Sequence, residues 1–165
     1  TLADLELADL SFPQLSRDAS GAILPPSRFR ELSLVTYANH DNAPLALLYS
    51  QGLLARNDDP GGKADSDLAA LTAFAGWEEG LPESLGDDLL FKLQEALFRT
   101  RSRLAVLMAS DLLGVPIRFN LPGSYGRGTW SDRLELPLHD LVRHPVVRPR
   151  TRARLRIDRG RRGRS

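Results

Sequence analysis

The 165-residue sequence predicts an α/β fold in which a parallel sheet is joined by helical crossovers. Two apolar, β-type segments are separated by segments in which Leu and Phe recur at helical spacing, so the order is strand, helices, strand, helix. Such alternation is typical of parallel sheets rather than of sandwiches or bundles. Because two strands cannot make a closed fold, we expect the chain to be part of a larger one.

The first half of the chain contains one predicted strand with a polar cluster behind it. Residues 1–15 mix Leu with Asp and Glu, which is compatible with a short helix. Residues 32–37 alternate apolar and polar side chains and include β-branched and aromatic ones, which predicts a strand. The polar residues 38–42 follow, and the Leu spacing of residues 45–55 then predicts a helix.

The second half contains the most regular helical pattern and the second predicted strand. Helical spacing occurs over residues 67–77 and, most regularly, over residues 87–100. The unbroken apolar run 104–108 predicts a buried strand. A single helical turn over residues 110–113 and a last short helix over residues 136–142 complete the prediction.

Charge is distributed unevenly along the chain. Ten of the 22 Lys and Arg residues, but only one of the 21 acidic residues, lie in residues 143–165. This tail therefore carries +9 and residues 1–142 carry −8. An Arg-rich tract can bind nucleic acid or another anionic surface. Because it lacks interleaved aromatic residues and a recognisable binding fold, we expect a disordered basic extension, and nucleic acid is the disfavoured partner.

Several functional classes are disfavoured by composition. The chain has no Cys and only three His without metal-ligand spacing, so we expect no disulfide and no metal site. Phosphate-loop, dinucleotide and nucleophile-elbow motifs are absent. No apolar segment is long enough to span a membrane and no signal peptide opens the chain, which favours a cytoplasmic protein. Since the only Met is Met108, we also expect further sequence upstream of Thr1.

His40 and Asp41 are the first candidate functional residues, because they directly follow the first predicted strand. In parallel α/β proteins the carboxyl ends of the strands face the ligand. A carboxylate there can accept hydrogen bonds from two neighbouring sugar hydroxyls, and an imidazole can add another. Alternatively, Asp41 only caps the helix that follows. Both interpretations stay open on residue chemistry alone.

The second candidate site is the glycine-rich loop, residues 120–134, behind the second predicted strand. Its amide, indole, guanidinium and Pro-Gly backbone suit a neutral polyhydroxylated ligand, and the rings of Trp130 and Tyr125 can stack on sugar faces. The candidate binding residues are Asn120, Pro122, Gly123, Trp130 and Arg133. The alternative is a flexible surface turn in which Trp130 plugs the edge of the core.

Together these segments resemble the 4-α-glucanotransferases, the amylomaltases or disproportionating enzymes of glycoside hydrolase family 77. That family has a strand ending in Thr-His-Asp, matched here by His40-Asp41 with Asn39 in place of Thr. An Asp-Leu-Leu-Gly turn follows and is matched by residues 111–114. An Asn-x-Pro-Gly-Thr motif, here with Ser124 for Thr, and a Trp with a nearby Arg complete the match over residues 12–142.

The resemblance implies a (β/α)8 barrel of which the chain carries about two strands. It implies transfer of a segment of an α-1,4-glucan, such as maltodextrin, to the 4-hydroxyl of an acceptor, with retention and without a cofactor, as in starch and glycogen metabolism. Asp41 corresponds to the carboxylate that stabilises the transition state, assisted by His40. The glycine-rich loop corresponds to the rim of the substrate site.

Retention also needs a nucleophilic Asp and an acid/base Glu. In the family both belong to motifs upstream of the His-Asp strand, and neither motif occurs in residues 1–31. We therefore expect the chain alone to be inactive. Two other functions stay open: a non-catalytic remnant that only binds maltodextrin, and a nucleic-acid or anionic-surface binder that acts through its Arg-rich tail.

Overall fold

Three short parallel strands form the sheet in the computed structural model, which describes residues 4–126 and 129–151. The strands are β1 (Asp9–Ser11), β2 (Ser33–Val35) and β3 (Leu104–Ala105). They lie in the order β1-β2-β3, so that Leu34 pairs with Leu10 on one side and with Leu104 on the other. Because the strands are parallel, the loops that follow them emerge at one edge of the sheet.

Helices connect and cover the strands in the described ranges. They are α1 (Leu45–Asp58), α2 (Lys63–Phe74), α3 (Asp87–Arg99), α4 (Ala109–Leu113) and α5 (Leu138–Leu141). α1, α2 and α3 lie between β2 and β3 in the chain and form the long crossover that a parallel pair requires. The α/β class with a parallel sheet is thereby confirmed. None of the helices in these ranges is long and apolar enough to cross a membrane.

The core lies between β2 and helices α1–α3. The apolar face predicted for α3 is buried, and its members are Leu89, Leu90, Leu93, Ala96 and Leu97. Full burial of a Leu side chain stabilises a fold by about 1.5–3 kcal/mol. Tyr37, directly after β2, is fully buried and its hydroxyl donates to the Leu93 carbonyl at 2.7 Å. This bond joins the carboxyl end of β2 to α3.

The sheet has three strands in the described residues, whereas the sequence predicted two. The short helix predicted within residues 1–15 is wrong. The structure places β1 there, followed by a 3₁₀ turn over Pro13–Leu15. Backbone pairing with β2 explains the strand, since the Asp9 amide donates to Leu32 and the Thr36 amide to Ser11, both at 3.1 Å. A three-residue strand is too short to show the alternating pattern from which strands are predicted.

The buried strand predicted over residues 104–108 is also wrong in extent and burial. Only two residues pair with β2, and Leu104 is 58% exposed. The reason is position, because β3 lies at one side of the described sheet and has a single neighbour. An apolar run predicts a strand but does not reveal whether both of its faces are covered.

The first two helices are longer than predicted because they pack closely together. α2 begins at Lys63, whose ammonium group pairs with Asp67 one turn later at 2.5 Å. Arg56 on α1 pairs with Asp65 on α2 at 2.8 Å. A Cβ at Gly52 would lie 2.9 Å from Leu68 Cδ2, so glycine permits this close approach.

The start of the basic tail contacts the folded body. Residues 147–151 are helical, and Arg150 is buried. Its guanidinium donates to the Asp87 carboxylate at 2.9 Å and to the Leu112 carbonyl at 3.1 Å. The rest of the predicted disordered tail, residues 152–165, lies outside the described residues. The division of the chain at residue 142 stays a prediction.

Candidate functional site

The segment after β2 carries the His-Asp pair to the surface. Asn39 makes the turn, since its side-chain oxygen accepts the amides of Asp41 at 2.9 Å and Asn42 at 2.8 Å. The chain leaves the buried residue Ala38 and exposes His40 and Asp41 by 55% and 56% of their side chains. Asn side chains form such turns readily. The Asn that departs from the family's Thr thus supplies the hydrogen bonds that shape this segment.

His40 and Asp41 form a pair that is open to solvent. His40 Nε2 lies 3.0 Å from Asp41 Oδ2. The other carboxylate oxygen, Oδ1, lies 3.5 Å from the amide nitrogen Nδ2 of Asn120. The first predicted site residue of the glycine-rich loop therefore lies beside the His-Asp pair, although 79 positions separate Asn120 from Asp41.

Asp41 does not cap helix α1 in the described structure. Pro44 occupies the N-cap position, and the Leu45 amide donates instead to Oδ1 of Asp111 at 2.7 Å. The alternative considered for Asp41 is thus wrong, because a carboxylate from α4 takes the capping role. The Asp41 side chain is left facing outward, where a ligand can reach it.

The glycine-rich loop folds back toward His40. The Trp130 amide donates to the Phe119 carbonyl at 2.7 Å, and Trp130 has φ of +62°, in the left-handed region that non-glycine residues rarely adopt. Its ring lies 5.8 Å from the His40 ring, centroid to centroid, with 34° between the planes. Strained backbone of this kind is concentrated at functional sites. Residues 127 and 128 of the loop lie outside the described residues.

Two concavities flank this His-Trp contact. The smaller, of about 170 Å³, is lined by His40, Arg118, Trp130 and Arg133 among others. The wider, of about 490 Å³, is lined by Asp41, by the loop residues Asn120, Pro122 and Gly123, and again by Trp130. Every predicted site residue therefore lines one of two adjoining cavities, and Trp130 lines both.

The aromatic and basic side chains of the loop differ in accessibility and bonding. Trp130 is 58% exposed and Tyr125 is 98% exposed, so the indole does not plug the core. Arg133 Nη1 donates to the carbonyls of Trp130 at 3.1 Å and Asp132 at 2.9 Å. Arg133 thus stabilises the backbone conformation at Trp130.

Sequence reasoning assigned no role to two charged residues that form hydrogen bonds across this region, Asp111 and Arg118. Arg118 donates through Nη2 to the backbone carbonyl of Asp41, and its Nε has no hydrogen-bond partner among the described residues. Asp111 is fully buried, and this desolvation raises the pKa of its carboxyl from 3.8 to about 6, against the lowering effect of the Leu45 amide. A signal did exist, since Asp111 begins the Asp-Leu-Leu-Gly motif and Arg118 stands between the apolar residues Ile117 and Phe119.

The site presents groups for binding neutral hydroxyl-rich molecules. An exposed carboxylate, an imidazole and an amide can exchange hydrogen bonds with hydroxyls, and indole faces suit the C–H faces of a sugar ring. In the described ranges, no group of three or more His, Asp or Glu side chains could hold a metal ion.

A parallel sheet with a polar, aromatic site after its strands defines an α/β protein of the ligand-binding type. A family model described as 4-alpha-glucanotransferase matches residues 1–138 of the chain. The chain therefore belongs to this family, glycoside hydrolase family 77, and the resemblance stated from its motifs is confirmed. No curated protein matches the sequence.

Solved amylomaltases share the fold. The structure is similar to that of amylomaltase from Corynebacterium glutamicum, with a TM-score of 0.73 and 21% identity over 93% of this chain and 26% of that one. It is also similar to amylomaltase from Streptococcus agalactiae in complex with acarbose, with a TM-score of 0.60 and 18% identity over 93% of this chain and 28% of that one. The chain thus spans about a quarter of the length of these proteins.

Proposed function

We propose that the chain forms the C-terminal part of a 4-α-glucanotransferase and carries its transition-state-stabilising carboxylate, Asp41. The observation that carries the proposal is the half-exposed His40–Asp41 pair, which lies after β2 with Asn120 and Trp130 beside it. Family membership supports the reaction: cleavage of an α-1,4-glucan and transfer of the fragment to the 4-hydroxyl of an acceptor. The glycoside bond is remade with retained configuration.

In this mechanism Asp41 acts on charge rather than on covalent bonds. As the glycosidic bond breaks, positive charge develops on the ring, and a fixed carboxylate that grips the sugar hydroxyls stabilises it. His40 shares the hydroxyls. The nucleophile and acid/base belong to family motifs that do not occur in residues 1–31. We propose that these two groups come from other parts of the polypeptide, and that the 165-residue chain alone does not turn over glucan.

We further propose that β1, β2 and β3 are neighbouring strands of a (β/α)8 barrel. Their parallel order and the helical crossover support this arrangement. Apolar side chains on the two outer strands, Leu10 and Leu104, are 50% and 58% exposed. A closed barrel covers such side chains, because it leaves no outer strand with an open edge.

We propose maltodextrin or another α-1,4-glucan as the ligand, since the Streptococcus agalactiae relative is solved with acarbose. The Trp130 indole and the wide cavity beside Asp41 suit a pyranose ring. A cytoplasmic location, a lack of membrane association and the low preference for nucleic acid stay predictions.

The test measures maltotriose disproportionation, as glucose release, by the complete polypeptide to which this segment belongs. We expect Asp41→Asn to lower kcat by about 100-fold or more, because charge stabilisation in a transition state is worth that much. Glu83→Gln on the exposed surface is the matched control and leaves turnover unchanged. If Asp41→Asn turned over maltotriose like the parent, the assigned role of Asp41 would be wrong. Lack of any transfer by the parent would favour a binding-only remnant.

A further inference from the structure

One short segment of the chain touches both ends of the stretch that carries Asp41. At one end, Asp111 Oδ1 accepts the Leu45 amide at 2.7 Å. At the other, the Arg118 guanidinium donates to the backbone carbonyl of Asp41 itself. The stretch 41–45 is thus gripped at both ends by residues 111–118, which come 66 and 77 positions later in the chain.

The Asp111 end of this grip rests on a rigid support. Asp111 is fully buried in α4, and its backbone carbonyl accepts Nε2 of the buried Gln94 on α3 at 2.6 Å. α4 ends at Gly114, whose φ of +76° is left-handed and whose Cβ, if present, would lie 2.5 Å from a methyl of Leu90. The Gln94 hydrogen bond and the close approach of Gly114 to Leu90 fix α4 against α3. The position of the Asp111 carboxylate is therefore set by α3 as well as by its bond to the Leu45 amide.

The stretch it holds lacks a cap of its own. With Pro44 at the N-cap position, none of the described side chains in 41–44 satisfies the first amides of α1. A helix N-terminus carries partial positive charge and unpaired amides, which a carboxylate stabilises. Asp111 supplies that carboxylate from another element, and the position of the chain before α1 therefore depends on it.

Arg118 extends the same dependence to the glycine-rich loop. It lies two residues before Asn120 and lines the smaller cavity with His40 and Trp130. A movement of Arg118 would shift the loop and the Asp41 backbone together. One segment therefore sets the relative position of both halves of the site.

We propose that Asp111 and Arg118 are positioning residues that clamp residues 41–45 and fix Asp41 relative to Asn120 and Trp130. The clamp deepens the proposed function, because the geometry that it sets is that of the glucan site. Neither residue needs to touch the sugar.

The first experiment measures the clamp without any sugar, in the full 165-residue chain. Nuclear Overhauser contacts between the ring protons of His40 and Trp130 report the relative position of the two halves of the site. We expect Asp111→Ala and Arg118→Met to lose these contacts. Asp111→Asn retains an acceptor oxygen for the Leu45 amide, and Arg118→Lys retains a donor, so both keep them.

The matched control removes a buried hydrogen bond from the other end of the sheet. Ser33 Oγ donates to Ser102 Oγ at 2.8 Å, and both residues are buried. Ser33 is the first residue of β2 and Ser102 lies two residues before β3, so this bond is at the amino ends of the strands. Ser102→Ala is expected to lower stability in urea while the ring contacts persist. Retention of the contacts in a folded Arg118→Met or Asp111→Ala chain would overturn the clamp. Because Arg118 is only half-buried, we expect Arg118→Met to fold, and this variant decides the test if Asp111→Ala does not fold.

The second experiment measures maltoheptaose affinity of the same variants by titration calorimetry. We expect a loss of about tenfold for Asp111→Ala and Arg118→Met, the size of one hydrogen bond to a charged group, and less than about twofold for Ser102→Ala. Equal losses in all three would mean general destabilisation and overturn the clamp. If the parent chain binds no maltoheptaose, the 165 residues alone do not form a glucan site, and the ring contacts still decide the clamp.

Discussion

Trp130 is the side chain that lines both cavities of the site. Its indole contacts the His40 ring on one side and lines the wide cavity beside Asp41 on the other. The left-handed backbone at this position turns the ring outward, and Arg133 holds the Trp130 carbonyl. Trp130 thus places an apolar face next to the carboxylate of Asp41.

We expect Trp130→Ala to weaken maltoheptaose binding by about tenfold, because an aromatic contact is worth roughly 1 kcal/mol beyond its buried area. Trp130→Phe, which retains a ring, should lose less. Titration calorimetry measures both. The only other Trp in the sequence is Trp77, which lines neither cavity of the site. Its indole Nε1 donates to the Gly80 carbonyl at 3.1 Å. Trp77→Phe is therefore the control, and comparable losses for Trp77→Phe and Trp130→Ala would argue against stacking.

Asp111 makes stability depend on pH. Burial raises the pKa of its carboxyl to about 6 in the folded chain, whereas the unfolded chain releases the proton near 3.8. The folded state therefore holds more protons in this interval, and the stabilisation due to Asp111 falls as pH rises through it. Asp111→Asn cannot titrate. Relative to the parent, its free energy of unfolding should rise by about 2 kcal/mol between pH 4 and pH 7.

Urea denaturation at the two pH values measures this difference. Asp18→Asn is a useful comparison, since hydrogen bonds from Ser20 lower the pKa of the Asp18 carboxyl and the side chain is exposed. Relative to the parent, the free energy of unfolding of Asp18→Asn should fall, not rise, between pH 4 and pH 7. A pH-independent difference between Asp111→Asn and the parent would show that the carboxyl of Asp111 titrates normally.

At the scale of elements, close packing of α1 on α2 explains why α1 ends later and α2 begins earlier than predicted. Leu68 is buried against Gly52, and ion pairs link Arg56 to Asp65 and Lys63 to Asp67. Intrinsic helix preference is weak compared with such tertiary contacts. The apolar spacing of α3, in contrast, is strong enough that its predicted and observed ends differ by one residue.

We expect Gly52→Ala to destabilise the chain by about 1 kcal/mol. Alanine favours a helix by about 1 kcal/mol, but overpacking against a buried side chain costs roughly 1–3 kcal/mol. A Cβ added at Gly80 would meet no atom within 4 Å, and φ there is not left-handed, so Gly80→Ala should be neutral or slightly stabilising. Urea titrations compare the two variants. Equal stabilities would mean that Leu68 moves aside without cost.

The candidate site itself was only partly predictable at this scale. Polar residues after a predicted strand indicated His40 and Asp41, and family motifs indicated the glycine-rich loop. Asp111 was indicated only as part of the Asp-Leu-Leu-Gly motif and Arg118 was not indicated at all, because a lone charge in an apolar setting has no periodic signature. Their importance comes from partners many residues away, which become neighbours only when α4 packs on α3.

For the whole molecule, the Arg-rich tail and the acidic body need not serve one function. Arg150 is buried and its guanidinium pairs with the Asp87 carboxylate, so it is not available to bind a phosphate. Most of the tail's Arg residues follow it in the sequence. Any polyanion binding should therefore depend on residues beyond 151.

Any binding of single-stranded RNA by the chain should be lost on deletion of residues 152–165, and the deletion should leave maltoheptaose affinity unchanged. Binding by the full chain should weaken steeply up to about 0.2 M salt, because it rests on counterion release. Fluorescence polarisation and calorimetry measure the two ligands. The cut after residue 151 keeps the Arg150 contacts. A drop in glucan affinity on truncation would make the tail part of the site.

The sequence by itself determined the α/β class, the amphipathic face of α3, the family motifs and the residues near the site, because these depend on local spacing and residue chemistry. Tertiary structure alone decided that β1 is a strand, that Asp111 rather than Asp41 caps α1, and that His40 meets Trp130. The physical reason is distance along the chain. Backbone pairing, capping and ring contacts between remote segments depend on how helices and strands pack, and packing leaves no local pattern.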